Sequence, residues 1–163
     1  MKKIIFVRHG RAEDPSAELT DFERSLTTKG KVISRQMARR FREKESEPGL
    51  IITSPAFRAL ETAFVFASEF GIPYDNIVIN SNLYYKAGIK NLFELLRRLD
   101  DHVDIITLFG HNPAFTEMPD RLSADGCEFV TKTSVVCISF KTNTWSGVKL
   151  DSGREEYFLK PEK

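Results

Sequence analysis

The feature that most constrains this chain is an apolar run near its start that stops abruptly at charged side chains. Ile4 to Val7 is β-branched and aromatic and is soon followed by Gly10, a pattern typical of a buried β-strand. Arg8 and His9 come directly after the run. They offer a guanidinium fork suited to phosphate or carboxylate and an imidazole that is nucleophilic when neutral. Ligands bind at the carboxyl ends of strands in parallel α/β sheets. Taken alone, the pattern fits a site at this edge and fits equally well a strand that ends in surface polar residues.

Length and composition limit the class of protein. The 163 residues, 41% hydrophobic and 29% charged, are typical of a globular protein, and we expect one domain over residues 1–163. The formal net charge of +1 gives no reason to expect nucleic acid or a membrane surface as a partner. No apolar run approaches the length of a transmembrane helix. Cys127 and Cys137 match no metal spacing and are expected to be reduced, which fits a cytoplasmic protein.

Alternating strand and helix patterns predict an α/β fold. Short apolar runs rich in β-branched residues predict strands, and apolar residues at helical spacing predict a helix after each of them. The predicted strands span residues 4–7, 50–53, 77–79 and 103–109. We therefore expect a three-layer sandwich with a largely parallel central sheet flanked by helices.

Two dipeptides that end in proline predict where helices begin. Ser54 follows the second strand and is placed as an N-cap, with Pro55 at the first helical position. Asn112 and Pro113 have the same arrangement after the fourth strand. Since each dipeptide lies shortly after the end of a strand, the helix N-termini are predicted at the same sheet edge as the end of the first strand, where their backbone donors favour an anion.

The pattern changes to strands in the C-terminal part of the chain. Ser134–Lys141 and Gly147–Leu150 read as two strands joined by a turn-rich segment. They predict a hairpin that closes one edge of the sheet. Residues 151–163 are polar and are expected to form a surface tail.

Two arginines and two histidines follow the predicted strand ends. Arg8 and His9 follow the first strand, Arg58 lies in the first turn of the helix after the second, and His111 follows the fourth. If these strands are parallel, the four side chains converge and suit a tetrahedral dianion. The arginines would hold its oxygens, while one histidine attacks phosphorus and the other stabilises developing charge.

The residues next to these histidines in the sequence argue against a metal site. His9 and His111 come with arginines rather than with the carboxylates that a cation needs, so an anion is favoured and no metal is expected. The third histidine, His102, follows a predicted helix and is interpreted as a plain surface residue.

Four stretches taken together resemble the histidine phosphatase superfamily, the phosphoglycerate-mutase-like proteins, and in particular its short phosphohistidine phosphatases of the SixA type. The stretches lie in the family's order between residues 4 and 113 and are specific only in combination. They are Arg8-His9-Gly10, Leu26-Thr27-Thr28-Lys29-Gly30, the run from Thr53 to Ala63, and Gly110-His111-Asn112-Pro113.

The resemblance implies both a fold and a mechanism. The fold is phosphoglycerate-mutase-like, and the domain over residues 1–163 is a histidine phosphatase domain. His9 is the nucleophile that becomes phosphorylated, and Arg8, Arg58 and His111 form the rest of the phosphate pocket, with Asn112 as a further phosphate-binding residue. The resemblance also implies a phosphohistidine intermediate and neither metal nor cofactor.

One departure from the family pattern bears on the substrate. Many members place a carboxylate, usually glutamate, in the loop after the third strand, where it protonates the leaving oxygen. The matching residues 81–88 contain none. Because a general acid is worth about a hundredfold to ten-thousandfold in rate, poor alkoxide leaving groups should suffer most. We therefore expect a preference for phosphohistidine, which leaves as an imidazole, over sugar phosphates.

An alternative source of the proton is the predicted loop over residues 11–25. Its acidic residues are Glu13, Asp14, Glu18, Asp21 and Glu23. Glu13 and Asp14 lie nearest the nucleophile in sequence and are possible general acids, although both also fit ordinary solvated loop charge. After the third strand, Tyr84 and Tyr85 fit either the mouth of the cleft or simple packing.

The resulting function is a phosphatase that acts through a phosphohistidine enzyme intermediate on phosphohistidine in proteins. Its partner would be a phosphorylated protein or a small phosphorylated substrate. Two alternatives stay open, a small-molecule phosphomonoesterase and a non-catalytic phosphate-binding module. A metabolite mutase is disfavoured, because the loop carboxylate is absent and the interval between Thr62 and His111 leaves no room for a large lid.

Overall fold

A six-stranded mixed sheet forms the centre of the protein. The computed structural model describes residues 1–84 and 86–162. The strands are β1 (Lys2–Arg8), β2 (Leu50–Thr53), β3 (Val78–Ile79), β4 (Ile105–Gly110), β5 (Val135–Phe140) and β6 (Arg154–Leu159). Their order across the sheet is β3-β2-β4-β1-β5-β6. β1 to β4 are parallel to one another. At one side of the sheet, β5 runs antiparallel to β1, and β6 runs antiparallel to β5.

Helices cover both faces of this sheet. They are α1 (Thr28–Lys44), α2 (Phe57–Glu69), α3 (Ile89–Arg97) and α4 (Ala114–Leu122). Side chains alternate along β1: Ile5 and Val7 pack in one core with α1 and α2, while Ile4 and Phe6 pack in the other core with α3 and α4. The predicted three-layer α/β sandwich with a largely parallel sheet is confirmed.

The parallel register brings three strand ends to one level. Arg8 of β1 pairs with Gly110 of β4, and Thr53 of β2 pairs with Phe109 of β4. The ladder continues for one residue beyond each strand, since the next backbone N–H groups donate to the carbonyl oxygens of Gly110 and Phe109 at 3.0 and 2.9 Å. The residues that follow these three strands therefore leave the sheet side by side.

The predicted start of the second helix is two residues too early. α2 begins at Phe57 with Ala56 at its N-cap, so Ser54 does not cap the helix and Pro55 is not its first residue. The N–H of Ser54 still belongs to the sheet ladder, which keeps the chain extended. Its hydroxyl accepts from the N–H of Ala56 and contacts the imidazole of His111.

The predicted start of the fourth helix is also too early. α4 begins at Ala114 with Pro113 at its N-cap. Asn112 does not cap it, because its side-chain amide donates to the carbonyl of Val130 at 2.9 Å. Both corrections have the same cause. Ser54 and Asn112 are residue types that commonly cap helices, but here their side chains form hydrogen bonds with a neighbouring segment instead of capping the helix that follows.

The hairpin prediction names the wrong second strand. The first strand is present as β5, but Gly147–Leu150 is not a strand, and β6 lies at Arg154–Leu159 instead. β6 pairs antiparallel with β5, so residues 151–163 are not simply a surface tail. The strand begins with three exposed charged residues and turns apolar only from Tyr157 onward, which hid it in a polar stretch.

Several remaining features agree with an ordinary globular chain. Among the described residues, no helix combines the length and the apolar character needed to cross a membrane. Within the same part of the chain, no group of three or more His, Cys, Asp or Glu side chains is arranged to hold a metal ion. Cys127 and Cys137 are both free, and burial raises the pKa of each thiol to about 12.

Gly49, just before β2, lies so close to the backbone of β4 that its replacement tests this contact. It has φ +66°, and a Cβ there would overlap the carbonyl of Ile105 in β4. We expect Gly49→Ala to lower the free energy of unfolding by at least about 3 kcal/mol, through left-handed strain plus displacement of backbone. Urea denaturation of the purified chain measures this.

Gly71 supplies the matched control, because it has φ +68° but open space around its Cα. Gly71→Ala should cost only the left-handed strain, on the order of 1 kcal/mol. Equal losses of stability in the two variants would contradict the predicted close approach between Gly49 and β4.

Candidate active site

A cavity of about 410 Å³ lies where β2 and β4 end. Its lining includes Arg58 from the first turn of α2 and His111 directly after β4, together with Asn112. Asp21 from one surface loop, and Tyr84 and Lys86 from another, add further polar side chains to the lining. The cavity therefore occupies the sheet edge at which the strand pattern predicts a site.

The two predicted histidines lie next to each other. The ring centroids of His9 and His111 are 5.1 Å apart. His9 is 8% exposed, and its Nδ1 lies 2.7 Å from the carbonyl oxygen of Gly10. A carbonyl only accepts, so Nδ1 carries the proton and Nε2 keeps its lone pair. His9 is therefore held in the tautomer that leaves Nε2 available as a nucleophile.

Both predicted arginines are anchored at their outer nitrogens. Nη1 and Nη2 of Arg58 donate to the backbone oxygen and a carboxylate oxygen of Asp21, at 2.8 and 3.1 Å. Nη1 of Arg8 donates to the carbonyl of Val130 at 3.1 Å. The Nε atoms of both arginines are buried without a hydrogen-bond partner in the described part of the chain. Unused donors with permanent charge fit an anionic ligand rich in acceptor oxygens.

The two imidazoles are neutral near neutral pH. Burial, together with the nearby charges of His111, Arg58 and Arg8, lowers the pKa of His9 to about 3 against the backbone hydrogen bond to Gly10. Burial and then the charge of Arg58 lower the pKa of His111 to about 3. An unprotonated nucleophile in a buried, positively charged surrounding is what attack on a phosphoryl group requires.

Asp21 is a site residue that the sequence did not single out among its loop's acidic residues. Burial disfavours its charged form, but hydrogen bonds from Tyr84, Arg24 and Arg58 outweigh this and lower its pKa to about 2. The hydroxyl of Tyr84 donates at 3.0 Å. A signal was available in the Thr-x-x-Glu pattern beginning at Thr20, which is typical of a helix start and indicates an ordered loop.

The predicted general acids lie outside this cavity. Glu13 is exposed, and its carboxylate accepts from the backbone N–H of Ser25 at 3.0 Å. Asp14 is also exposed and does not border the cavity. Asp21 is the acidic residue that does border it. Of the predicted tyrosine pair, Tyr84 lines the cavity, and Tyr85 lies outside the described residues.

Asn112 connects the cavity to Arg8. Its amide nitrogen donates to the carbonyl of Val130, the same oxygen that accepts from Arg8. Its amide oxygen accepts from Thr116 at 3.1 Å, and the hydroxyl of Thr116 accepts from the N–H of Val130. Asn112 thus fixes the segment that anchors the guanidinium, and its direct contact with phosphate remains a prediction.

The remaining histidine is remote from this cluster. The side chain of His102 is 98% exposed and pairs with the carboxylate of Asp100 at 2.8 Å. It is a surface residue, as the sequence indicated.

The sheet order and the flanking helices define a phosphoglycerate-mutase-like α/β protein. Residues 4–78 match the histidine phosphatase superfamily (branch 1), a range that includes Arg8, His9 and Arg58 of the site described above. This match covers slightly less than half of the chain, whereas the shared fold extends over nearly all of it.

Known structures show how far the fold is shared. The protein histidine phosphatase SixA, complexed with tungstate, superposes with a TM-score of 0.82 at 20% identity over 98% of this chain and 97% of that one. A protein assigned as phosphohistidine phosphatase SixA from Agrobacterium tumefaciens gives 0.76 at 22% identity, over 98% of both chains. A mycobacterial glucosyl-3-phosphoglycerate phosphatase gives 0.65 at 14% identity, over 93% and 97%.

A relative is also found by sequence. An uncharacterized protein of Picosynechococcus sp. (strain ATCC 27264 / PCC 7002 / PR-6) is 28% identical over 122 residues, which are 74% of this chain and 73% of the relative. At these identities the structural matches establish the fold, and the chemistry has to be argued from the residues of the site.

The lowered pKa values of the two histidines predict a specific loss of stability in mild acid. In the unfolded chain both histidines have a pKa near 6.5 and become protonated below it, whereas in the folded protein His9 and His111 stay neutral down to about pH 3. The free energy of unfolding therefore falls as the pH drops from about 6.5 toward 3. Each histidine should contribute up to about 1.4 kcal/mol per pH unit. Urea denaturation at several pH values between about 7 and 5 measures the slope.

His9→Asn provides the comparison, because it removes one of the two titrating groups from both states. We expect about half of the histidine-dependent slope to disappear. A slope that is identical in wild type and variant would show that His9 binds a proton in the folded protein as readily as in the unfolded one.

Proposed function

We propose that this protein is a metal-independent phosphatase that removes the phosphoryl group from phosphohistidine in proteins through a phosphorylated His9. The observation that carries the proposal is the tautomer of His9: Nδ1 is tied to the carbonyl of Gly10, so the lone pair of Nε2 is free beside two guanidinium groups. A site built only to bind phosphate would need the arginines but not a buried, neutral and oriented imidazole.

In the proposed first step, Nε2 of His9 attacks phosphorus and the P–N bond of the substrate breaks. The ring of His9 becomes an imidazolium, because Nδ1 keeps its proton, and the carbonyl of Gly10 stabilises that charge through the existing hydrogen bond. Arg8 and Arg58 donate to the phosphoryl oxygens, where charge accumulates in the transition state. No proton has to move on the enzyme.

In the second step, water attacks the phosphorus of phosphorylated His9. The N–P bond breaks, Nε2 departs with its electron pair as part of a neutral imidazole, and both hydrogens of the water leave with dihydrogen phosphate. Asp21 lines the cavity and, with a pKa of about 2, is an anion that can accept a hydrogen bond from this water. The free enzyme is restored in its starting tautomer.

Phosphohistidine suits a site of this kind as the substrate. When its second ring nitrogen carries a proton, it leaves as a neutral imidazole, so nucleophile and leaving group are the same chemical species and no acid is required. An alkoxide leaving group needs a proton, and the ionised Asp21 does not carry one at neutral pH. The names of two structures that share the fold add support, since one is named a protein histidine phosphatase and the other is assigned as a phosphohistidine phosphatase.

Two further parts of the proposal concern the setting. Metal independence is supported by the surroundings of His9 and His111, whose charged neighbours include two guanidinium groups that repel a cation. A cytoplasmic location is supported by the free thiols of Cys127 and Cys137.

Replacement of the nucleophile tests the reaction. His9→Asn should lower kcat on a phosphohistidine peptide by about ten-thousandfold or more, since no covalent intermediate can form. Quenched reactions of wild type should contain an acid-labile, base-stable phosphoenzyme, detected by mass spectrometry. His102→Asn is the matched control, because its side chain is 98% exposed, and it should behave as wild type. Full activity of His9→Asn would refute the proposed intermediate.

A substrate panel tests the leaving-group argument. We expect kcat/KM for the phosphohistidine peptide to exceed that for a sugar phosphate by about a hundredfold or more, because only the sugar needs a protonated leaving atom. Both rates should be unchanged by EDTA. Equal turnover of the two substrates would favour a small-molecule phosphomonoesterase, while bound phosphate without turnover would favour a binding module.

A further inference from the structure

Ser54 is buried against the second histidine of the site. It is 0% exposed, and its Oγ lies 2.8 Å from Nε2 of His111. The backbone N–H of Ala56 also reaches this oxygen, at 3.2 Å, and donates to it. Ser54 comes directly after β2 and His111 directly after β4, so the level register of the two strands produces the contact.

The hydrogen bonds around Ser54 fix the direction of this contact. With the N–H of Ala56 already donating to Oγ, the hydroxyl proton of Ser54 needs an acceptor, and within the described part of the chain Nε2 of His111 is the one that it meets. The opposite arrangement, with Nε2 donating, would bury a hydroxyl hydrogen without an acceptor, which costs about 1–3 kcal/mol.

The other nitrogen of His111 agrees with this assignment. If Nε2 accepts, Nδ1 of the neutral ring carries the proton. Nδ1 is buried and has no hydrogen-bond partner among the described residues, a condition that it shares with Nε of Arg8 and Nε of Arg58. Three unused N–H donors thus belong to the three residues that surround His9, and each suits a phosphoryl oxygen.

We propose that Ser54 is a positioning residue that holds neutral His111 as the Nδ1–H tautomer, so that His111 donates a hydrogen bond to the phosphoryl group during its transfer. This inference rests on the proposed phosphatase function. Ser54 itself does not touch the substrate, and it acts only through the imidazole. The arrangement supplies a third donor without a third positive charge, because burial keeps His111 unprotonated.

The tautomer can be observed directly in the folded protein without substrate. With ¹⁵N-labelled histidine, the nitrogen shifts and ring-proton correlations of His111 should identify Nδ1 as protonated in wild type at neutral pH. Ser54→Ala removes the hydroxyl that donates to Nε2 of His111, so we expect a mixture of tautomers or a change to Nε2–H. Ser54→Thr keeps the hydroxyl and should restore the Nδ1–H form.

Kinetics supply the second measurement. Ser54→Ala should lower kcat by about 10- to 100-fold, since the lost donor acts mainly in the transition state, and should change KM by less than about threefold. Ser54→Thr should recover most of kcat. Ser139→Ala is the matched control: this serine is 5% exposed and donates to Glu156 on β6, so its loss should leave both the tautomer and kcat unchanged.

The two readouts separate the possible failures. A protonated Nε2 in wild-type His111, or an unchanged Nδ1–H tautomer in a folded Ser54→Ala variant, would overturn the role of Ser54 whatever the activity. A wild-type protein without phosphatase activity would instead overturn the proposed function, and with it the catalytic use of the tautomer.

Discussion

The site depends on the parallel pairing of β1, β4 and β2. Because Arg8 is level with Gly110 and Thr53 with Phe109, the chain leaves three neighbouring strands at one height. The next residues, His9 and Ser54, still donate their backbone N–H groups to β4. Their side chains are therefore positioned by hydrogen bonds of the sheet rather than by flexible loops, which explains how buried imidazoles can be held in fixed orientations.

This architecture could be predicted from local patterns because those patterns are consistent with one another. Ile4 to Val7 alternates between two cores and is apolar on both faces, which requires helices on both sides of the sheet. Parallel strands then place their carboxyl ends together, so the convergence of His9, Arg58 and His111 follows from topology alone. The proximity of these side chains could be predicted for the same reason, while their catalytic roles remain a prediction.

The predictions from sequence were wrong or incomplete where the deciding contact lies far away in the chain or where a pattern fits two structures. Serine and asparagine cap helices, but Ser54 contacts His111 and Asn112 contacts Val130, and single-chain patterns do not show which partner is nearby. β6 was missed because an edge strand tolerates charged residues on its exposed part. Asp21 was missed because it lies in a loop of similar acidic residues, and only the fold brings it beside Arg58.

The pair between Asp21 and Arg58 has a consequence for anion selectivity. In the resting protein this guanidinium already has a carboxylate counterion at 3.1 Å. A carboxylic acid metabolite would offer Arg58 only what Asp21 supplies, without the advantage of being tethered. A phosphoryl group brings three terminal oxygens and nearly two negative charges, enough to engage the idle nitrogens as well. The built-in counterion therefore favours a ligand with more acceptor oxygens and more negative charge than a single carboxylate.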